Sequence, residues 1–210
     1  MTAANVVLRT LHVAKSFGRH RVLRDVSFEL RQGELMGVVG ENGTGKSTLL
    51  KILVGLLAPS AGRVWIDGRT GYCPQGLAVF EALTVAENLR YFAEAYALDR
   101  RTQGRAWEAV KNDLVERFRL AEHAHRLVFE LSGGTKQKLN LCVALLHSPD
   151  VLILDEPYSG FDWETYLCFW DYAEGQRSAG RSVLIVSHFV NDRGRFDRIL
   201  ALKDGALQCG

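Results

Sequence analysis

The chain has 210 residues, of which 47% are hydrophobic and 24% charged, and carries a formal net charge of +2. It can bury a core, as one large domain or as a core with an inserted subdomain, and it is too near neutral to argue for nucleic acid or a membrane surface as partner. No apolar run approaches the roughly 18 residues of a membrane-crossing helix, and Met1-Thr2-Ala3-Ala4-Asn5 lacks the basic start and apolar core of a signal peptide. Cys73, Cys142, Cys168 and Cys209 share no CxxC spacing, so free thiols are expected, not disulfides or a zinc site.

In chain order, Val6-Val7-Leu8 and Leu11-His12-Val13 read as strand pieces, and Lys15-Ser16-Phe17-Gly18 as the turn after them. Val22 to Leu30 alternates apolar and polar residues towards its end, the pattern of a half-exposed antiparallel strand. Gln32-Gly33-Glu34 turns the chain into Leu35-Met36-Gly37-Val38-Val39, a short buried strand. Next comes Gly40-Glu41-Asn42-Gly43-Thr44-Gly45-Lys46-Ser47, which fits GxxxxGK(S/T). Thr48 and the apolar residues from Leu49 to Val54 continue it at helical spacing. Strand, glycine loop and helix together turn a pattern match into a phosphate site. Loop N–H groups curl around phosphate oxygens and the helix N-terminus adds its positive end. Lys46 supplies a charge for the outer phosphates, and the Ser47 hydroxyl is placed to ligate Mg²⁺.

Gly62 to Gly68 reads as a short strand ending in an Asp-Gly turn, and Gly71-Tyr72-Cys73-Pro74-Gln75 as the end of another. From about Gly76 to Glu130 the character changes to helical. Thr84 has Glu87 three residues on, the capping-box spacing, and Val85, Leu89, Phe92 and Tyr96 form one apolar face. Trp107, Val110, Leu114 and Phe118 repeat that spacing in a second helix. Charges of both signs between Asp99 and Arg126 describe a solvated face, not a phosphate-binding stripe. His123-Ala124-His125 has no accompanying ligand motif and reads as a solvated helix end.

Leu131-Ser132-Gly133-Gly134-Thr135-Lys136-Gln137 leads into a further helix, with Leu139, Val143 and Leu146 on one face and Pro149 at its end. Val151-Leu152-Ile153-Leu154 is a continuous apolar run, as a central parallel strand should be, and delivers Asp155-Glu156-Pro157. Ser182 to Val186 is another, delivering Ser187-His188. Ile199 to Leu207 closes the chain as a hairpin. Trp163, Trp170 and Tyr172 are expected to be packing residues. Strand carboxyl ends are where open α/β sheets bind ligands. Asp155 is therefore the expected Mg²⁺ partner of Ser47, and Glu156 the candidate general base towards the γ-phosphate.

The order of phosphate loop, Gln75, Leu131-Ser132-Gly133-Gly134, Asp155-Glu156, Ser159-Gly160-Phe161-Asp162 and His188 resembles the nucleotide-binding subunit of ABC transporters, over nearly the whole chain to about Gly205. The resemblance implies an α/β fold: a P-loop NTPase core with a mixed, largely parallel sheet, an N-terminal antiparallel β subdomain and an inserted α-helical subdomain. Residues 1–210 would be one ATPase domain, with core 1–75 and 149–210 and helical subdomain about 76–148. ATP and Mg²⁺ are the implied ligands. Phe17 would stack on adenine, and Gln75 would contact Mg²⁺ and report to the helical subdomain. Ser132, Gly133 and Gly134 would face the γ-phosphate held by a second subunit. Asp162 would cross that interface, and His188 would hold the γ-phosphate and the attacking water. Thr135 stands where the family usually has Gln, with Gln137 two places on, and Phe161 replaces the usual Leu.

The function implied is ATP hydrolysis energising transport, with a lean to export, through a separate transmembrane permease. The chain would sit peripherally on the cytoplasmic side of the membrane, paired with a second nucleotide-binding subunit in a homo- or heterodimer and without nucleic acid. The Val85, Leu89, Phe92 and Tyr96 face and the Gln75 loop would border a groove for a helix of the permease. The sequence also admits two other readings: a soluble ATPase of the same family acting in DNA repair or translation, and a scaffold that binds nucleotide without hydrolysing it.

Overall fold

The structure, a computed structural model, describes residues 5–98, 106–188 and 193–209. They divide into two compact units: Met1–Tyr72, Asp150–Glu156 and Ala173–Gly210 in the first, Cys73–Pro149 and Pro157–Tyr172 in the second.

The first unit is built on a mixed sheet. Its strands are β1 (Val6–Phe17), β2 (His20–Arg31), β3 (Leu35–Val39), β4 (Ala61–Ile66), β5 (Thr70–Cys73), β6 (Val151–Asp155), β7 (Ser182–Ser187), β8 (Arg198–Lys203) and β9 (Ala206–Cys209). Their order across the sheet is β4-β1-β2-β9-β8-β3-β7-β6-β5. β8, β3, β7 and β6 run parallel side by side. Every residue of β6 and β7 is buried, which is why these segments are unbroken apolar runs and not alternating ones. β1, β2 and β4 pair antiparallel, and β8 and β9 form the closing hairpin.

β1 corrects one expectation. Lys15-Ser16-Phe17 is not a turn but the end of a twelve-residue strand that pairs with β2 as far as Phe17 and His20. Register shifts interrupt the ladder between Thr10 and Val13 and again around Lys15, and His12 adopts φ 50. Such bulges break the hydrophobic alternation that marks a strand in sequence, so one long strand reads as two pieces and a turn.

Helix α1 (Lys46–Leu53) buries Leu49, Leu50, Ile52 and Leu53 in one core with Leu8, Leu23, Leu30, Met36, Val38, Ile153, Leu184 and Val186. Truncating any one of these leucines to alanine should cost about 2–5 kcal/mol. That core fixes the carboxyl ends of β3, β6 and β7, where the candidate residues lie.

The second unit contains α2 (Val85–Ala95), α3 (Ala106–Arg117), α4 (Gly133–Leu145) and the start of α5 (Trp163–Ser178). Thr84 and Glu87 form the full capping box of α2. Val85 and Leu89 are buried, while Phe92 and Tyr96 pack against Ala93, Leu98, Trp107 and Leu146. The apolar face of α2 thus packs into the unit's own core, and at its start Val85 and Leu89 line a cavity together with Trp107, Val115 and Leu120. Phe80 and Tyr91 are exposed beside α2, stacked edge to face at 4.7 Å. Trp170 and Tyr172 are buried as expected, but Trp163 is 68% exposed. It opens α5 and stacks on Tyr166, so helical spacing alone misjudged its side. Among the described residues Cys73, Cys142 and Cys168 form no disulfide, and no helix is long and apolar enough to cross a membrane.

Candidate functional site

β3 ends in the loop 40–45, and α1 starts from it at Lys46. The bend is possible because Gly45 caps the helix at φ 99. A Cβ there would meet Leu23 Cδ2 at 2.9 Å and Val22 Cγ1 at 3.0 Å, so the position excludes a side chain both by backbone conformation and by space. Gly40 excludes one as well, since its Cβ would press on the carbonyl of Leu202. Both constraints come from strands of the first unit, which shape the loop from outside.

Lys46 is buried. Its ammonium donates to Gly40 O at 2.6 Å and Glu41 O at 2.8 Å, and lies 3.3 Å from His188 Nδ1. Burial holds its pKa below the usual lysine value, against the opposing pull of Glu156 and then Asp155. Asp155, at the end of β6, is buried too. Loss of solvent raises its pKa, while a hydrogen bond from the Ser47 side chain works the other way. Glu156 follows at φ 50, a left-handed conformation that costs an ordinary residue about 1–2 kcal/mol. Its N–H donates to Val186 O at 2.9 Å, and its Oε1 lies 2.6 Å from His188 Nε2. Lys46, Ser47, Asp155, Glu156 and His188 therefore meet as one cluster at the carboxyl ends of β3, β6 and β7.

This cluster can do specific chemistry. A Ser hydroxyl and a buried carboxylate in mutual contact are hard oxygen donors, of the kind that hold Mg²⁺ together with substrate phosphates. No three His, Cys, Asp or Glu side chains gather as a metal site among the described residues, and a hydroxyl with one carboxylate needs phosphate oxygens to complete it. Glu156, oriented by an imidazole, is arranged as a proton acceptor. Glu41, Asn42 and Gly43 are exposed along the loop and Thr44 and Thr48 half-buried; Thr44 bonds back to Glu41 O at 2.9 Å. Phe17 is 51% exposed, with Lys15 Nζ 5.2 Å from its ring centre, and offers an open aromatic face for stacking.

The remaining candidates lie in the second unit. Ser132 is the N-cap of α4, its side chain accepting from Thr135 N–H at 3.2 Å and meeting the Thr135 hydroxyl at 2.8 Å. Thr135 therefore has a local role that its departure from the usual Gln did not reveal. Gly133 has open space around it, and Gly134 packs against the carbonyl of Gly160. That contact sets the Ser132 helix start beside the loop carrying Asp162. Asp162 in turn caps α5 by accepting from Thr165 N–H at 2.8 Å, which holds its carboxyl below the usual range. Gln75 follows β5 in the loop that leads to α2.

The chain is similar to known proteins along most of its length. The family model described as ABC transporter matches residues 23–159. The chain is 33% identical over 98% of its length to the Nod factor export ATP-binding protein I of Bradyrhizobium diazoefficiens, covering 70% of that protein. It is 31% identical over 94% of its length to an uncharacterized ABC transporter ATP-binding protein of Methanocaldococcus jannaschii, covering 74% of it. It is 34% identical to the probable multidrug ABC transporter ATP-binding protein YbhF of Escherichia coli, but spans only 37% of that chain. It likewise spans 28% of ABC transporter G family member 20 of Dictyostelium discoideum. Among solved structures, an ATP-binding subunit of an ABC transporter superposes with a TM-score of 0.89 at 27% identity, over 97% of this chain and 88% of that one. A dimeric bacterial ABC transporter cassette shares the fold, with a TM-score of 0.86 at 24% identity over 96% of each chain.

Proposed function

The chain belongs to the ABC transporter family, and on that premise we propose that it binds and hydrolyses ATP to energise transport through a separate transmembrane permease. The observation that carries this reading is the cluster itself. Lys46, Glu156 and His188 stand in one chain of contacts, 3.3 Å and 2.6 Å long at its two steps, beside the Ser47–Asp155 pair.

In the proposed reaction, loop N–H groups and Lys46 take the outer phosphates of ATP, and Phe17 stacks on the adenine. Ser47 and Asp155 would hold Mg²⁺, with Gln75 as a further contact, and the ion would supply positive charge to the phosphates. Glu156 accepts a proton from the water that attacks the γ-phosphorus, the bond from that phosphorus to the β-γ bridging oxygen breaks, and ADP and phosphate leave. His188 holds the Glu156 carboxylate on one side and lies towards Lys46 on the other, which keeps proton acceptor and phosphate-binding charge in register. Ser132, Gly133 and Gly134 present a helix N-terminus, suited to the γ-phosphate of a second nucleotide-binding subunit, and Asp162 lies on the loop packed against it.

Export is the direction we infer, supported by the Nod factor export and multidrug descriptions of relatives. Those relatives do not favour a soluble ATPase of DNA repair or translation. Purification of the tagged chain from detergent-solubilised native membranes tests the proposal. A polytopic membrane protein in stoichiometric amount, together with Mg²⁺-dependent phosphate release, is the expected result. Ribosomal or nucleic-acid-associated proteins alone, with nothing from the membrane, would overturn it.

A further inference from the structure

Asn140 lies in the middle of α4, on the buried side of that helix, and is itself 1% exposed. A buried primary amide must find partners for two N–H groups and a carbonyl. All of those partners lie at the end of β5 and in the loop that follows. Asn140 Oδ1 accepts from Ala78 N–H at 2.9 Å. Its Nδ2 donates to Pro74 O at 3.0 Å and, at longer range, to Gly76 O at 3.4 Å and Cys73 Sγ at 3.5 Å. The amide's orientation is fixed by its surroundings, because rotating it would set NH₂ against an N–H and an oxygen against two carbonyls. One side chain thus grips the loop on both sides of Gln75, with buried Gln137 reaching Cys73 Sγ one helical turn earlier.

From this geometry we propose that Asn140 is a positioning residue for ATP hydrolysis. It fastens the Gln75 loop to the helix that begins at Ser132, so that loop and helix start move as one piece. The proposal rests on the ATPase reading above. The chemistry suits the task better than packing would. An apolar residue could fill the same volume, but only a group with both donor and acceptor can bind one backbone N–H and two backbone carbonyls of a single loop. The loop has no regular structure of its own between β5 and α2, so its conformation depends on such outside bonds. Asn140 touches neither nucleotide nor metal, and its effect would pass through Gln75 and Ser132.

The test compares Asn140→Leu, which keeps the branched heavy-atom outline but is bulkier and apolar, and Asn140→Asp, which keeps the acceptor for Ala78 N–H but loses the donors, with the native chain. Amide hydrogen exchange on the full chain reads the grip directly. In Asn140→Leu the amides of residues 75–79 should lose at least about tenfold in protection, as expected for a lost buried hydrogen-bond set, while the α4 amides keep theirs. Steady-state hydrolysis of Asn140→Leu should show kcat lowered about tenfold or more with KM for ATP within about twofold, and Asn140→Asp, which sets an oxygen against the two carbonyls, should lose at least as much. Unchanged protection of the loop would overturn the proposal. So would loop deprotection with native kcat, or equal loss of protection throughout the second unit, which would make Asn140 a packing residue only. A native chain that binds ATP without hydrolysing it would refute the ATPase reading and this role in hydrolysis, while the exchange data alone would still show whether Asn140 grips the loop.

Discussion

His188 Nε2 lies 2.6 Å from Glu156 Oε1. An imidazole from the end of β7 thereby fixes the rotamer of a carboxylate that follows β6, and the two strands are held in register over five residue pairs, ending at Asp155 and Val186. If Glu156 is the proton acceptor, Glu156→Gln should lower hydrolysis by about 10²–10⁴-fold and leave ATP binding near native. His188→Ala should lower kcat in the same direction by loosening the carboxylate. Phosphate release and equilibrium binding of a fluorescent ATP analogue separate the two effects. Native turnover in Glu156→Gln would remove Glu156 from the reaction.

Asp155 gives a prediction of opposite sign for stability and for activity. Burial raises its pKa, so the folded chain favours the protonated acid. Its favourable contribution is present below the unfolded carboxylate value and is lost as pH rises through the folded one. At about pH 7 without Mg²⁺, Asp155→Asn should therefore melt at or above the native temperature, and the gap should close on acidification. With Mg²⁺ present, the same variant should bind ATP at least about tenfold more weakly than the native chain, a difference that EDTA should erase. Thermal denaturation and nucleotide titration, each with and without EDTA, check both halves.

The capping box of α2 responds to acid in the familiar direction. Glu87 accepts from the Thr84 backbone N–H and from its hydroxyl, both at 2.8 Å, and these bonds hold its pKa below the usual value. The stability it provides is present above the unfolded carboxylate value and is lost as pH falls through the folded one. Urea titrations of native and Glu87→Gln chains should differ at about pH 6 and converge only once the pH has fallen well below the usual carboxylate range. Thr84→Ala should cost about 1 kcal/mol at neutral pH through loss of the cap.

Gly45→Ala tests how the loop is shaped. At φ 99, with Leu23 Cδ2 2.9 Å from the new methyl, the variant should lose about 1–2 kcal/mol from backbone strain alone. It should also bind ATP more weakly, because α1 could no longer start in its present direction. Native affinity in a destabilised Gly45→Ala chain would show that the loop tolerates a different helix entry.

Much of this was legible in the sequence, for a physical reason. Leu35 to Val38, the inward side of α1 and the apolar runs 151–154 and 182–186 are buried, so composition and spacing mark them. The phosphate loop is marked by glycines that nothing else could replace. Legibility fails where tertiary contacts decide. Bulges in β1 hid the strand end that carries Phe17. Trp163 has the spacing of a core residue and the exposure of a surface one. The sequence shows the apolar face of α2 but not what packs on it, because Trp107 and Leu146 lie far along the chain. Glu156 gives no sign in sequence of its left-handed backbone. Asn140 did leave a trace, a lone amide between Leu139 and Leu141, but its meaning depends on carbonyls more than sixty residues away.

The ammonium of Lys46 spans the first two carbonyls of its own loop, so it serves as an internal cross-link as well as a free charge. When phosphate oxygens arrive, the nitrogen can trade neutral acceptors for anionic ones while the glycine turn keeps its outline. A Lys46→Met chain would then suffer twice, losing both an electrostatic ligand and the brace between the Gly40 and Glu41 carbonyls. Its drop in affinity would overstate what the charge alone is worth. Lys46→Arg would separate the two losses, since it retains the positive charge on a broader planar head that cannot sit between the same two oxygens.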